Sequence, residues 1–555
     1  MRATSVSYPK RVKKVGLMLL CSVMMMSFVL TACSKGSNSG ADVPAAAQSS
    51  EQRLAQLNVE GMPIAKEKLT MSAFAAKFYA SADWNKLMLW EQYEKLSNVH
   101  IKWETVQIDS LKEKRNIKLA GGEYPEIFFA SAFSRSDLIK YGSQGTFIKL
   151  DDLIDTHAPN FKRIMEQYPI VKKGITMPDG SIYGLPTIFD PAFKSLYMGT
   201  PWMKQEWLRK LNMQPPTTLV ELHAVLKAMK EKDPNGNGKP DEIPWGSRGV
   251  KQMINFLKGT YGFNKNGIAN EHVDLDPKTG KLRFIPTNER YKELLQYMHT
   301  LYRDGLLDQE TFTMKETDIA AKASQGLYGF LDGVDPAAIY NQKGFIGMPV
   351  LKGPSGERLA TNVGSPLGNT GMFVLTDKAK HPEAAMRWID HLYSDEGVKM
   401  FFMGFEGVTY KQKADGEFEY VEALRNNPDG LNLDQAISQY LTWPGGYYPG
   451  IVKQRFFKGA EGYPSSIANA KQAEPFTIKM DEVWPVFNFT PEEQEELMTI
   501  QTDIHTYIDE MRDKFITGAA SFEEWDNYVA QISSMKVERY VAIYAAAYER
   551  FKAAN

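Results

Sequence analysis

Apolar positions change their spacing along the chain, and each change predicts an element. Behind Lys10, Arg11, Lys13 and Lys14 the run 15–29 is almost continuously apolar. Charge, then an apolar run, then small residues predicts a secretory signal over 1–32. The run is short for a membrane-spanning helix, which takes about 20 residues. Residues 33–65 are rich in Ser, Ala, Gly, Asn and Gln without one aromatic, and predict a flexible tether.

Regular periods begin past 66. Runs at 68–74, 99–104 and 126–130 read as strands. Between them, 86–96 sets Leu89, Tyr93 and Leu96 on one helical face, and 111–120 is a helix stopped by Gly121 and Gly122. Alternating strands and helices predict an α/β fold with a mostly parallel sheet covered by helices. Ligands of such sheets sit beyond the carboxyl ends of strands, which is where loops 81–84 and 131–136 fall.

Further on, 179–186 reads as a turn and short strand, followed by a cluster of Phe189, Phe193, Tyr197, Trp202 and Trp207. Thr218 opens a helix with Leu222, Val225, Leu226 and Met229 on its apolar face, and 292–302 is another. Runs 326–331, 347–351 and 370–375 read as buried strands. Pro382 starts a helix, 443–449 is an aromatic-rich loop, and Thr490 with Glu493 opens a long helix ending at Gly518. Ser521 with Glu524 caps the next, and the chain ends helical. No internal repeat interrupts this order.

Composition narrows the class. A chain of 555 residues with 43% hydrophobic residues suffices for several domains or a few large ones. The net charge of -2 argues against nucleic acid as a partner. The two cysteines are Cys21, inside the signal, and Cys33, so the body has no disulfide. Leu30-Thr31-Ala32-Cys33 resembles the bacterial lipoprotein signal, which implies cleavage before Cys33, fatty-acyl (palmitate) modification there, and a lipid-anchored extracytoplasmic protein.

The sharpest chemistry lies at 233–242. Oxygen side chains fall at loop positions one, three, five and nine, as Asp233, Asn235, Asn237 and Asp241, with Gly238 at the turn and Lys239 offering its carbonyl. A hard cation such as calcium wants several oxygens from one short turned loop. Glu242 is the nearby substitute for the missing acid at position twelve, where Pro244 stands. A structural role fits a disulfide-free exported chain.

The body, 66–555, resembles the extracellular solute-binding proteins of bacterial ABC importers, family 1 type, and within them the aldouronate and alginate-binding group. The match is carried by 179–186, 206–211, 233–244, 382–390, 502–507, 514–518 and 525–529 in that order. It implies a two-lobed clamshell with hinge and interlobe cleft. Lobe one is expected at 66–188 and 369–440, lobe two at 189–368 and 441–555, with a helical C-terminal region. The resemblance also carries the calcium loop over to Asp233, Asn235, Asn237, Lys239, Asp241 and Glu242, and implies permease subunits and an ATPase as partners.

A saccharide site needs flat aromatics with fixed polar groups at their edge. The candidates are Asp83 and Trp84, Ser131 and Arg135, Tyr197 and Trp202, and Trp443, Tyr447 and Tyr448. Arg135 would suit an acidic sugar. Trp90, Trp388 and Trp525 fall on helices and are expected in the core. The chain has no H-E-x-x-H, G-x-S-x-G or G-x-x-x-x-G-K-[ST] motif. Catalysis by a carboxylate pair stays open, because glycosidases place two acids by fold. Binding is the leading expectation; a secreted polysaccharide-active enzyme and a ligand-loaded partner of a membrane sensor are the alternatives.

Overall fold

The structure is a computed structural model that describes residues 49–196, 198–442 and 445–554. Two four-stranded sheets organise it. In the first, Leu69–Lys77 lies between Val99–Gln107 and Ile127–Phe133, all parallel. Gly371–Leu375 returns from far along the chain to pair antiparallel with Ile127–Phe133. Ile127–Phe133 and Gly371–Leu375 are apolar almost throughout because both faces of this sheet are covered. Met88–Ser97 and Leu111–Gly121 are two of the covering helices, and each stops at a left-handed residue, Asn98 and Gly122. Trp84, Trp90, Trp103 and Trp388 interlock beneath the sheet with ring centroids 4.9–6.3 Å apart.

In the second sheet, Trp202–Lys204 runs antiparallel to both Phe345–Gly347 and Tyr328–Leu331, and Ile243–Gly246 adds in parallel to Tyr328–Leu331. Leu219–Glu231, Glu289–Arg303 and the long Pro491–Thr517 pack into its core. Thr490 and Glu493 form the reciprocal cap of the long helix, and Gly518 ends it with φ 81°. No helix among the described residues is long and apolar enough to cross a membrane.

The two cores are distinct. One gathers residues from Leu57 to Phe193 and from Leu367 to Phe457; the other gathers Met203 to Leu351 and Leu497 to Ile543. This is a two-lobed α/β fold whose chain passes three times between cores. Next to the crossings, Gly450–Val452 pairs in parallel with Thr187–Phe189.

Four sequence expectations are corrected. The tether does not stay flexible to residue 65: Ser50–Ala55 is a helix closed by a Ser49–Gln52 capping box. Arg53 donates from Nη2 to Glu383 Oε1 at 2.7 Å, and Leu57, Ile64 and Ala65 are buried. Sparse apolar residues in a polar stretch therefore anchor it. The segment 131–136 is not a loop, because the strand runs to Phe133 and Ser134 caps the helix Arg135–Ser143 at once. The strand near 347–351 is displaced to Phe345–Gly347. Beyond it, Leu441 and Tyr448 to Phe457 pack into the first core, although 441–555 was expected in lobe two.

Candidate ligand cleft

The three crossings converge on a cavity of about 340 Å³. Leu196 and Met198 line it from the first crossing, Asn362 and Ser365 from the second, and Glu461 and Asn469 from the third. The Tyr328–Leu331 strand ends at it, with Asp332 and Gly333 in the lining, the ligand position of such sheets.

Asp332, directly after the Tyr328–Leu331 strand, is 8% exposed and lines the cavity. Trp245, fully buried on the neighbouring strand, donates from Nε1 to Asp332 Oδ1 at 2.8 Å. Asp332 Oδ2 is buried and accepts no hydrogen bond among the described residues. Burial pushes this carboxyl up to about 6, against the smaller pull of Ser247 and Trp245. Trp202, 3% exposed, packs most of its ring against Tyr328, Leu331 and Phe345 and contributes an edge to the cavity lining; its indole N–H donates to Gly333 O at 2.9 Å. Asn469 clamps the first crossing: its amide donates to Thr200 O at 2.9 Å and its Oδ1 accepts from the Thr200 hydroxyl at 2.7 Å. An aromatic edge beside buried polar groups, in a volume near the low end for small-molecule sites, suits a hydroxyl-rich ligand.

Of the candidate site residues, Trp202 is in this cavity, and Phe189 of the same aromatic cluster lines it too. Tyr197, between lining residues Leu196 and Met198, lies outside the described residues, as do Trp443 and Cys33. Trp84 is a core side chain rather than a platform: it is 3% exposed, its indole N–H donates to Ser81 Oγ at 2.9 Å, and Trp103 meets it edge-on. Asp83 is exposed and caps the short helix Trp84–Lys86. Ser131 is fully buried, its hydroxyl donating to Phe129 O at 3.1 Å. Arg135 donates to Gly174 O at 2.6 Å and Asn488 Oδ1 at 2.8 Å, and burial lowers it to about 10. Tyr448 is fully buried and stacked on Phe401 at 4.2 Å; Tyr447 is half-buried, edge-on to Phe78. Trp90, Trp388 and Trp525 are core, as expected. Asp332, Asn362 and Glu461 were not anticipated. Asp332 had a readable signal, Asp-Gly after a buried strand.

In the 233–242 loop, Asp233 sits in the left-handed region, φ 46°. Its Oδ1 accepts from the Gly236 N–H at 2.9 Å and its Oδ2 from the Gly238 N–H at 2.9 Å. The amides of Asn235 and Asn237 donate to Asp241 Oδ1, each at 3.0 Å. Glu242 is 1% exposed and neither carboxylate oxygen has a well-formed hydrogen bond among the described residues; burial raises its pKa, the nearby backbone N–H groups of Glu242 and Asn235 pull it back in part, and the Asp233 charge raises it further. No three His, Cys, Asp or Glu side chains converge as metal ligands among the described residues. The orphaned Glu242 oxygens beside Asp233 nevertheless fit a cation, which would satisfy both at once.

The Asp332 shift has a pH consequence. An ordinary Asp titrates near 3.8 and this one near 6, so the folded chain binds the proton more tightly than the unfolded chain. Its contribution is complete below pH 3.8 and is lost as the pH rises through 6. Urea denaturation across pH is expected to show Asp332→Asn gaining about 2–3 kcal/mol on the natural chain between pH 4 and 7. Parallel stability curves would contradict this.

Over 518 residues the chain is 27% identical to the fructooligosaccharide ABC transporter substrate-binding protein FusA of Streptococcus pneumoniae, covering 88% of this chain and 92% of that protein. The solved structure of FusA with kestose superposes with a TM-score of 0.72 at 25% identity, over 88% of this chain and all of that one. An EF-hand mutant of FusA with fructo-nystose gives 0.71 at 25% identity, with the same coverage of 88% and 100%. The model of the bacterial extracellular solute-binding proteins matches residues 76–399, more than half of the sequence. Matched in its sequence and in its two-lobed fold, this chain belongs to the bacterial extracellular solute-binding protein family, whose members bind and deliver solutes rather than transform them.

Proposed function

We propose that this chain is the extracytoplasmic capture subunit of an ABC importer and closes its lobes on an oligosaccharide. One observation carries the reading: at the crossings, the Trp202 indole and the buried Asp332 carboxyl line one cavity. FusA is named for fructooligosaccharides, which supports a saccharide here. Lobe one is taken as 66–188 with 369–440 and the segment through Phe457, and lobe two as the remainder. A lipid on Cys33 would hold the body at the membrane, where permease subunits and an ATPase receive the ligand.

The mechanism is a population shift. Cavity walls come from segments tied to both cores, so a ligand reaches all its partners only when the lobes are closed; that differential affinity drives closure. Small-angle scattering is expected to show a smaller radius of gyration on addition of kestose or another bound oligosaccharide. An unchanged radius at saturation would contradict a closing clamshell.

Calcium in the 233–242 loop belongs to the same proposal, supported by the EF-hand named in the FusA mutant. Asp233, Asn235, Asn237, Asp241, Glu242 and the Lys239 carbonyl would hold it. The ion would supply the positive charge that buried Glu242 lacks. A chelator is expected to lower the melting temperature by at least about 2 °C. Glu242→Gln is expected to abolish that response and, without calcium, to melt higher than the natural chain, since an uncompensated charge is removed. A melt indifferent to chelator, or a variant that keeps the full response, would contradict the site.

A further inference from the structure

We infer that the cleft selects uncharged saccharides over uronic acids, and that Asp332 sets this preference. The inference rests on the cavity being the ligand cleft and adds its substrate class.

The described lining contains three carboxylates, Asp332, Asp335 and Glu461, and no Lys, Arg or His. The three differ in availability. Asp335 is committed to the fold: Oδ1 accepts the Ala337 N–H at 2.8 Å, capping the helix Pro336–Ile339, and Oδ2 accepts the Ser465 hydroxyl. Glu461 is half-buried at the third crossing, and its backbone carbonyl accepts the Ser195 hydroxyl at 2.7 Å. Asp332 is more than nine-tenths buried, with Oδ1 taken by Trp245; Oδ2 accepts no hydrogen bond among the described residues, the nearby Ser247 hydroxyl being turned to Gly249 O at 2.9 Å. These acids do not assemble into a cation site, since no three acidic or imidazole groups converge as metal ligands among the described residues. Neutral amides and hydroxyls, including Gln252, Asn362 and Ser365, complete the polar lining.

A lone buried carboxylate oxygen asks its ligand for a hydrogen-bond donor. A neutral sugar presents hydroxyls, each able to donate. A uronate carboxylate only accepts, and beside Asp332 it would add a second buried negative charge with no counter-cation. The arginine best placed in the sequence to balance an acidic sugar, Arg135, is outside the lining and spent on Gly174 and Asn488. Arg248, close in sequence to Ser247, pairs with Glu316 at 2.8 Å. Selection therefore works by leaving the wrong ligand unpaired, which discriminates more sharply than adding contacts to the right one.

The test is calorimetry of the full mature chain at pH 7.5 against two panels of matched length. One holds neutral fructo-, xylo-, malto- and galacto-oligosaccharides; the other holds galacturonate and mannuronate oligomers. The tightest neutral ligand is expected to bind at least about tenfold more tightly than any uronate. Asp332→Asn, with its melting curve confirming folding, is expected to weaken the neutral ligand and narrow the neutral-to-uronate ratio by about tenfold. A uronate binding as tightly as the best neutral sugar overturns the inference while leaving the saccharide cleft standing. An unchanged ratio in the variant overturns the role of Asp332. Binding of neither panel overturns both the inference and the reading beneath it.

Discussion

A buried carboxylate with an oxygen left unpaired is the constraint on which the rest depends. Removing such a charge from water costs several kcal/mol unless donors or a cation replace the lost hydration. The chain does this at Asp332 and at Glu242, and supplies neither with a full set of partners. The four-residue strand Ile243–Gly246 links the two places. Glu242 immediately precedes it, and its Trp245 holds one oxygen of Asp332. Both deficits therefore sit at the ends of one strand of the second sheet, and on the proposed function each would be relieved by a group from outside the chain.

The fold keeps these deficits tolerable. Each lobe has its own core, and the crossings add small clusters of their own, such as Met198 with Val363, Ala470 and Val483. The first sheet is sealed by interlocked tryptophans, and Tyr93 ties it to the late helix Pro382–Asp390 through a hydrogen bond to Trp388 O. The second lies under long helices of the C-terminal region. Cavity walls such as Thr200 and Asn469 are fastened to each other within the protein, so the polar groups lining the cavity are held in place by the fold itself.

Much of this was legible in the sequence where local rules act. Helix stops at Gly122 and Gly518, the cap at Thr490 and the alternation of strands with helices all follow from backbone preferences and periodicity. The site was harder to read. Trp84 and Tyr448 look like platforms because Asp, Pro and Gly surround them, yet their rings fill the first core. Arg135 looks free in a polar stretch, but its partners lie 39 and 353 residues away. Asn362 and Glu461 reach the cavity only because distant crossings converge there, which no window of sequence reveals. Asp332 was nearer to reach, since it ends a buried strand where ligands of such sheets collect.

The most direct measurement is a crystal structure of the chain with the saccharide that binds it most tightly in solution. The account predicts a sugar ring against Trp202 and a hydroxyl about 2.7 Å from Asp332 Oδ2. A saccharide held elsewhere, with Oδ2 still lacking a donor, would contradict it.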